Sequence, residues 1–418
     1  MKHLSILCTL TLWLAGLGLH LAFAQSGDHF YKNDTWQASW IAPPGTSADG
    51  YGVYHYRKVI DLKQKPDSFS VKVSGDNRFK LFVNGRLVAL GPASGDLYHW
   101  NYETVNIAPY LRSGKNILAA TVYNEGANRP EAEISNRTGF ILQGVSKNEA
   151  ENEVESNSNV KSNLAHLAAA VNTNDSWKSI KDEGYQVLPY YFVAISGQLV
   201  DMAKVIKGWK SLDFDDSKWP KAESVAQGRP KGASDGNGWM LVPSQIPQME
   251  RTYQRIEVLR KTTGMPAPAG FPVEKKAITI PANSQVTMLL DQTYLTNAYF
   301  TLKLSKGKGA RVAIGYAETL YEIPTDPGQK DHPKKGNRND IEGKFFKGVT
   351  DSILPDGSLH QDFTTLNYRT YRYVQLRIYT GDQPLIIQDI YGTFTGYPFK
   401  WNARFKTSDA KGQLIQKF

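Results

Sequence analysis

The sequence predicts an all-β fold, a galactose-binding-like jelly-roll domain followed by a second antiparallel β-sandwich. Two observations carry this. Short runs of β-branched and aromatic residues recur at close spacing between Val53 and Thr395. Tight turn signals, such as Asn84-Gly85 and Gly114-Lys115-Asn116, separate them.

The chain opens with an apolar run, Leu4 to Phe23, preceded by Lys2 and His3 and closed by Ala22-Phe23-Ala24. This pattern reads as a secretory signal peptide over residues 1–24, so the protein is expected to be exported, periplasmic or extracellular. A membrane anchor is the competing reading, but Gly16, Gly18 and His20 interrupt the run. No transmembrane anchor is expected.

Residues 25–225 read as the jelly roll. Val53 to Ile60 is a short β-branched and aromatic run, and Phe69 to Gly75 alternates apolar with polar before a Gly-Asp-Asn turn. Phe79 to Val83 then meets Asn84-Gly85, a strong hairpin signal because both central residues of the tight turn need positive φ. Tyr102 to Leu111 and Ile117 to Tyr123 continue the series.

An inserted loop, 146–162, is rich in Glu, Asn and Ser and reads as exposed. Leu164 to Val171 fits two helical turns. Two tryptophan motifs follow, Asp175-Ser176-Trp177 and Trp209 to Trp219, and a Gly- and Pro-rich stretch, 226–239, reads as a linker.

Residues 240–400 read as the second sandwich. Its strands are expected at Lys276–Ile280, Gln285–Leu290, Ala298–Leu304, Arg311–Tyr316, Arg369–Tyr379 and Leu385–Thr395, with a long polar loop from Glu322 to Lys347. In the final stretch, 401–418, Ser408 or Asp409 would cap an incipient helix.

Composition narrows the function. With 41% hydrophobic residues the chain is globular. Its formal charge of +9 includes Lys2 and is spread along the sequence, which together with export argues against nucleic acid and suits a solvated or anion-facing surface. The one cysteine, Cys8, lies inside the expected signal peptide, which leaves no thiol for disulfides, zinc-thiolate sites or nucleophilic catalysis.

The order of motifs resembles the N-terminal half of bacterial α-L-rhamnosidases, inverting glycoside hydrolases. The residues that carry the resemblance are Phe82-Val83-Asn84-Gly85-Arg86, Gly91 to Asp96, His99-Trp100-Asn101-Tyr102-Glu103, Trp209 to Trp219, Gly315-Tyr316-Ala317-Glu318, Tyr371-Arg372-Tyr373-Val374 and Phe405 to Ile415. The resemblance implies β-sandwich domains ahead of a helical (α/α)6 catalytic barrel, of which 401–418 would be the first turns. It implies rhamnose-containing glycans as substrate and a C-terminal helical domain as the partner that supplies the catalytic acids. Where such proteins carry an Asp-Phe-Gly-Gln-Asn-type stretch, this chain has Leu290-Asp291-Gln292-Thr293-Tyr294. The expected activity is that of a non-catalytic part, inactive alone; a freestanding carbohydrate-binding protein is the alternative.

Inverting glycosidases need two carboxyl groups about 6.5–9.5 Å apart, and the sequence singles out no such pair. Glu318, at the end of an expected strand, reads as a carboxylate that hydrogen-bonds across to a loop or to the helical domain, and Asp340 with Glu342 reads as solvent-facing. Asp213, Asp215 and Asp216 have the oxygen chemistry that suits calcium, but their spacing fits no loop signature and a turn with Trp219 packed inward is the simpler reading. No cofactor is expected, with calcium at these acids left as the alternative.

Sugar contacts are expected beside the first hairpin, where Tyr98, His99, Trp100 and Tyr102 follow Gly95-Asp96. Sugar rings stack on aromatic faces while carboxylates and amides take their hydroxyls, so Asp96, Trp100 and Asn101 form the candidate set, with Arg137, and beside it Arg129, from the loop after Tyr123. Alternation along a strand would send some of these rings into the core.

Overall fold

A computed structural model describes residues 35–145, 158–189, 195–233, 238–325 and 333–400, with 402, 407 and 408. The expected signal peptide, most of the 146–162 insertion and nearly all of 401–418 lie outside the described residues. Among the described residues the structure is all-β apart from one α-helix, Ser158–Val171, and short 3-10 turns. That helix starts six residues before the two turns expected, and its Leu167, Ala168 and Val171 pack into the first core.

The first sandwich stacks a six-stranded sheet on a five-stranded one. The six-stranded sheet runs Glu223–Gln227, Ser39–Ala42, Gly139–Gly144, Ser70–Asp76, Trp100–Asn106 and Leu241–Pro243. The five-stranded sheet runs Arg86–Gly91, Arg78–Val83, Gly114–Asn124, Gly52–Leu62 and Lys178–Lys181. Period-two alternation points Phe79, Leu81 and Val83 at Val71, Val73 and Phe140 between the sheets. Phe82 faces the other way, where Trp209 and Trp219 cover it. The hairpin turns at Asn84 (φ 49°) and Gly85 (φ 78°), as both positions of a primed turn require.

The second sandwich is built on an eleven-stranded sheet centred on one long strand, Gln285–Lys306. The sequence divides this strand in two; the structure keeps it continuous, with a register shift between Asp291 and Thr296 where Thr293 adopts φ 70°. Arg311–Ala317, Arg369–Tyr379 and Leu385–Gly396 pair around it and bury Val286, Phe300, Ile314, Leu376 and Ile390.

The chain passes between the sandwiches differently from the expected order. Gly197–Asp201, inside the span read as jelly roll, pairs in parallel with Val349–Leu354 of the second sandwich. The expected linker 226–239 is partly structural: Gln227 pairs with Ser39, and Trp239 is buried against Trp40. A free linker needs polar, solvated side chains, whereas Val225, Trp239 and Leu241 supply apolar surface that the first sandwich takes up.

The two sandwiches meet through specific polar contacts. Tyr123 Oη donates to Asn367 Oδ1 at 2.5 Å, and Lys80 Nζ donates to the Thr365 carbonyl at 3.1 Å. Lys207 pairs with Asp356, and Val53, Tyr123 and Leu366 form a small apolar cluster beside them. Burial, aided by the Lys210 ammonium, pushes the Lys80 amine down to about 7.

Candidate functional site

The expected sugar-contact residues converge on one end of the first sandwich, organised around a residue that sequence patterning did not single out. Asp76 closes the Ser70–Asp76 strand and is fully buried. Its Oδ1 accepts from Ser135 Oγ (2.7 Å), Asn77 Nδ2 (3.0 Å) and Asn124 Nδ2 (3.2 Å). Its Oδ2 accepts from the Asn136 amide (2.8 Å), the Arg137 amide (3.3 Å) and Trp239 Nε1 (2.9 Å). Burial pushes this carboxyl up to about 6 despite the donors from Ser135, Asn136 and Trp239. Asp76 thereby ties the 124–138 loop to the strand end and to Trp239.

Trp100 is part of this foundation, not of the surface. It is 4% exposed, stands edge-on to Trp40 and Trp239, and donates from Nε1 to Ser74 Oγ at 3.1 Å. This corrects its expected role as a stacking platform: it opens a strand whose alternation turns its ring, and that of Tyr102, toward the packed aromatic cluster. The exposed ring of the loop is Tyr98, at 60%.

Asp96 and Asn101 shape the loop that carries Tyr98. Asp96 Oδ1 accepts from the Tyr98 and His99 amides at 2.7 and 2.9 Å, an Asx-type turn. Asn101 Nδ2 donates to the Ala93 and Ser94 carbonyls, each at 3.2 Å. Arg78 braces the same loop through Pro92 O (2.5 Å) and Ser94 Oγ (2.7 Å). Arg137 is half-buried, and its Nε has no hydrogen-bond partner among the described residues. Arg129 is spent on the Gly126 and Glu133 carbonyls. The cleft between Ser94, Trp100 and Glu133 has about 10 Å³ of free volume, room for no more than a water, so a sugar would have to lie on the rim.

A larger concavity, about 470 Å³, opens at the hairpin end of the sandwich. Asn84, Gly85, Arg112, Lys210, Ser211 and Asp213 line it. Asn84 is fixed by its own side chain, which donates to Tyr110 O (2.9 Å) and Asn116 Oδ1 (2.8 Å) and accepts from the Ile117 amide (3.1 Å). The hairpin thus carries one wall of a cleft as well as setting strand register. The Asn84-Gly85 turn and the Trp209 to Trp219 motif were each legible; that the 208–213 loop, over a hundred residues away, completes the cleft beside the hairpin was not.

The other acids have structural surroundings. Asp216 pairs with Arg57 (2.7 Å) and Lys178 (3.1 Å), and Trp219 packs inward beside it. Glu318 is exposed and lies just past the strand that ends at Ala317. Glu342 pairs with Lys261 at 3.4 Å, and both Asp340 and Glu342 face solvent. No cluster of three or more potential metal ligands occurs among the described residues. Nor is any described helix long and apolar enough to cross a membrane.

In the second sandwich, Asp291 is fully buried between Arg372 (3.0 Å) and Arg260 (2.8 Å). Arg260 and Arg372 also hold the Asn339 loop. The stretch that departs from the family pattern is therefore a strut beneath the 337–342 loop.

Residues 64–235 match the family described as alpha-L-rhamnosidase N-terminal domain. Among solved structures, the GH78 family rhamnosidase of Bacillus sp. GL1 is similar over 90% of this chain, with a TM-score of 0.68 and 12% identity. The α-L-rhamnosidases of Aspergillus terreus (TM-score 0.59, 17% identity, 91% of this chain) and Dictyoglomus thermophilum (0.56, 19%, 92%) share the fold as well. The chain spans 57% of the Bacillus protein and 38% of each of the other two. No protein with a curated description matches it in sequence.

Proposed function

We propose that this chain is the exported, non-catalytic β-rich part of an α-L-rhamnosidase-like glycoside hydrolase, whose helical domain supplies the acids that release terminal rhamnose from glycans. The match of residues 64–235 to a rhamnosidase N-terminal domain carries this reading, and the fold shared with solved rhamnosidases over some 90% of the chain supports it. The carboxylates also support it. Asp76, Asp291 and Asp351 are buried and saturated by donors or arginines, which suits architecture better than hydrolysis. The role of these sandwiches is to frame the substrate and brace the catalytic domain, with glycan contact through the rim of Asp96, Tyr98, Asn101 and Arg137.

The decisive experiment is to measure the intact mass of the native exported protein and to assay it beside the 418-residue chain on an aryl α-L-rhamnoside. A longer native polypeptide that turns over, with the 418-residue chain inert, supports the reading. Hydrolysis by the 418-residue chain itself, or a native protein of that size without activity, overturns it.

The 470 Å³ cleft beside Asn84-Gly85 favours a second reading, a freestanding carbohydrate-binding protein. This reading requires measurable glycan affinity in the 418-residue chain, lost on Arg112→Ala.

A further inference from the structure

The Glu250–Gln254 strand ends the long sheet of the second sandwich, and among the described residues it pairs only with Leu385–Gly396. Four of its five residues are exposed, and the fifth, Gln254, is half-buried. Such an edge offers a row of backbone donors and acceptors to another strand. Protective devices are sparse here: the strand has no proline, no lysine and no inward-pointing charge.

The surroundings are apolar. Ile246 (43% exposed), Met249 (39%) and Tyr253 (54%) lie on or just before the strand, and Tyr397 (44%) and Phe399 (76%) follow its pairing partner. The pairing of Glu250 with Gly396 brings Met249 and Tyr397 to the same corner. Tyr397 and Phe399 pack together at 4.8 Å, and Tyr253 packs on Tyr391 at 4.9 Å. Arg255 holds Tyr253 in place, donating to its hydroxyl at 2.8 Å while paired to Asp389. Exposed apolar clusters of this kind mark contact surfaces.

The order of side chains decides what kind of strand fits. In regular antiparallel pairing, directly opposed residues share a face, so a two-fold axis relating two identical strands must pass at a residue. An axis at Glu250 opposes Glu to Glu, and one at Arg251 opposes Arg to Arg. An axis at Tyr253 opposes Arg251 to Arg255, and one at Gln254 halves the overlap. An axis at Thr252 pairs all five residues: Glu250 with Gln254, Arg251 with Tyr253, and Thr252 with itself. That register opposes no like charges and sets two Arg–Tyr pairs, which suit cation–π contact, on the outer face.

We propose that a second copy of this chain binds here, the two Glu250–Gln254 strands pairing antiparallel about Thr252 to join two eleven-stranded sheets into one. The contact is isologous, as a closed two-fold dimer requires. The register also carries the Met249 and Tyr397 corner of each copy toward the Arg255 end of the other, where Val273 is 52% exposed.

The test uses the whole chain. Sedimentation velocity over a wide concentration range is expected to show a monomer–dimer equilibrium, weakened at least tenfold by Arg251→Glu, which sets an acid against Tyr253 beside Glu250. In a Cys8→Ser background, Thr252→Cys places the two new thiols opposite each other at the axis, within the Cα separation a disulfide spans. Mild oxidation is expected to give a covalent dimer, whereas Cys8→Ser with Tyr294→Cys, exposed but off the axis, is expected to stay monomeric. A chain that stays monomeric throughout overturns the proposal. So does a dimer that ignores Arg251→Glu and fails to cross-link through Thr252→Cys, because its interface lies elsewhere.

Discussion

Glu125 of the first sandwich and Asn367 of the second meet across the domain boundary, Asn367 Nδ2 donating to Glu125 Oε1 at 3.3 Å with both residues buried. The Ser196 amide approaches Oε2 at the same distance, so the carboxyl has two long hydrogen bonds and little solvent. Burial therefore pushes its pKa up to about 7. The folded protein favours the protonated acid, and the unfolded chain, near 4.5, does not. The resulting stability is fully present below pH 4.5 and is lost as pH rises toward 7. Glu125→Gln is expected to match the parent near pH 4 and to exceed it at pH 8, by up to roughly 3 kcal/mol. Thermal unfolding of both proteins at the two pH values checks this.

Arg369 and Asp351 form a buried fork, Nη2 to Oδ1 at 2.5 Å and Nε to Oδ2 at 3.2 Å. Removing the arginine strands the Asp351 carboxylate, which also accepts from the Gln198 amide on the Gly197–Asp201 strand. Arg369→Ala is expected to cost about 3–5 kcal/mol. Arg369→Lys should recover only part of that, since an ammonium cannot reproduce the two-pronged contact. Urea denaturation measures both.

Trp100 and Tyr98 should separate under mutation although they lie two residues apart. Trp100→Ala empties a site bounded by Trp40 and Trp239 and is expected to cost about 3–5 kcal/mol. Tyr98→Ala should leave stability within about 0.5 kcal/mol and lower any glycan affinity of the rim. Denaturation curves beside glycan titration distinguish the two; a stable Trp100→Ala protein with lost glycan binding would restore the stacking role to Trp100.

Asn84 combines a left-handed backbone with three side-chain hydrogen bonds. Asn84→Ala is expected to lose about 2–3 kcal/mol, whereas Asn84→Gly, which tolerates the backbone, should lose less. Chemical denaturation of the two variants gives the comparison.

The strands and the hairpin were legible because alternation and turn chemistry are local. Phe79, Leu81 and Val83 recur at period two on the face that meets the first core, and Asn84-Gly85 can turn the chain in few ways. What escaped depends on distant partners. Nothing near Asp76 announces six donors drawn from residues 77, 124, 135, 136, 137 and 239. Trp100 was misplaced because an aromatic beside a loop has the same local pattern whether its ring meets solvent or, as here, two other tryptophans. Gly197–Asp201 was assigned to the first sandwich because a short strand carries no mark of which sheet will accept it.

That strand sets a schedule for the growing chain. Gly197–Asp201 is synthesised about 150 residues before Val349–Leu354, the strand it pairs with in parallel. At ordinary elongation rates of about 5–20 residues per second, its unclaimed edge waits on the order of ten seconds or more. Meanwhile the chain has gone on to produce Glu223–Gln227 and Leu241–Pro243, which complete the first sheet. The early sandwich can close while one of its loops still holds a strand meant for a neighbour that does not yet exist. Cutting the chain between the two sandwiches would make that wait permanent, leaving one fragment with an unsatisfied edge and the other with a missing strand.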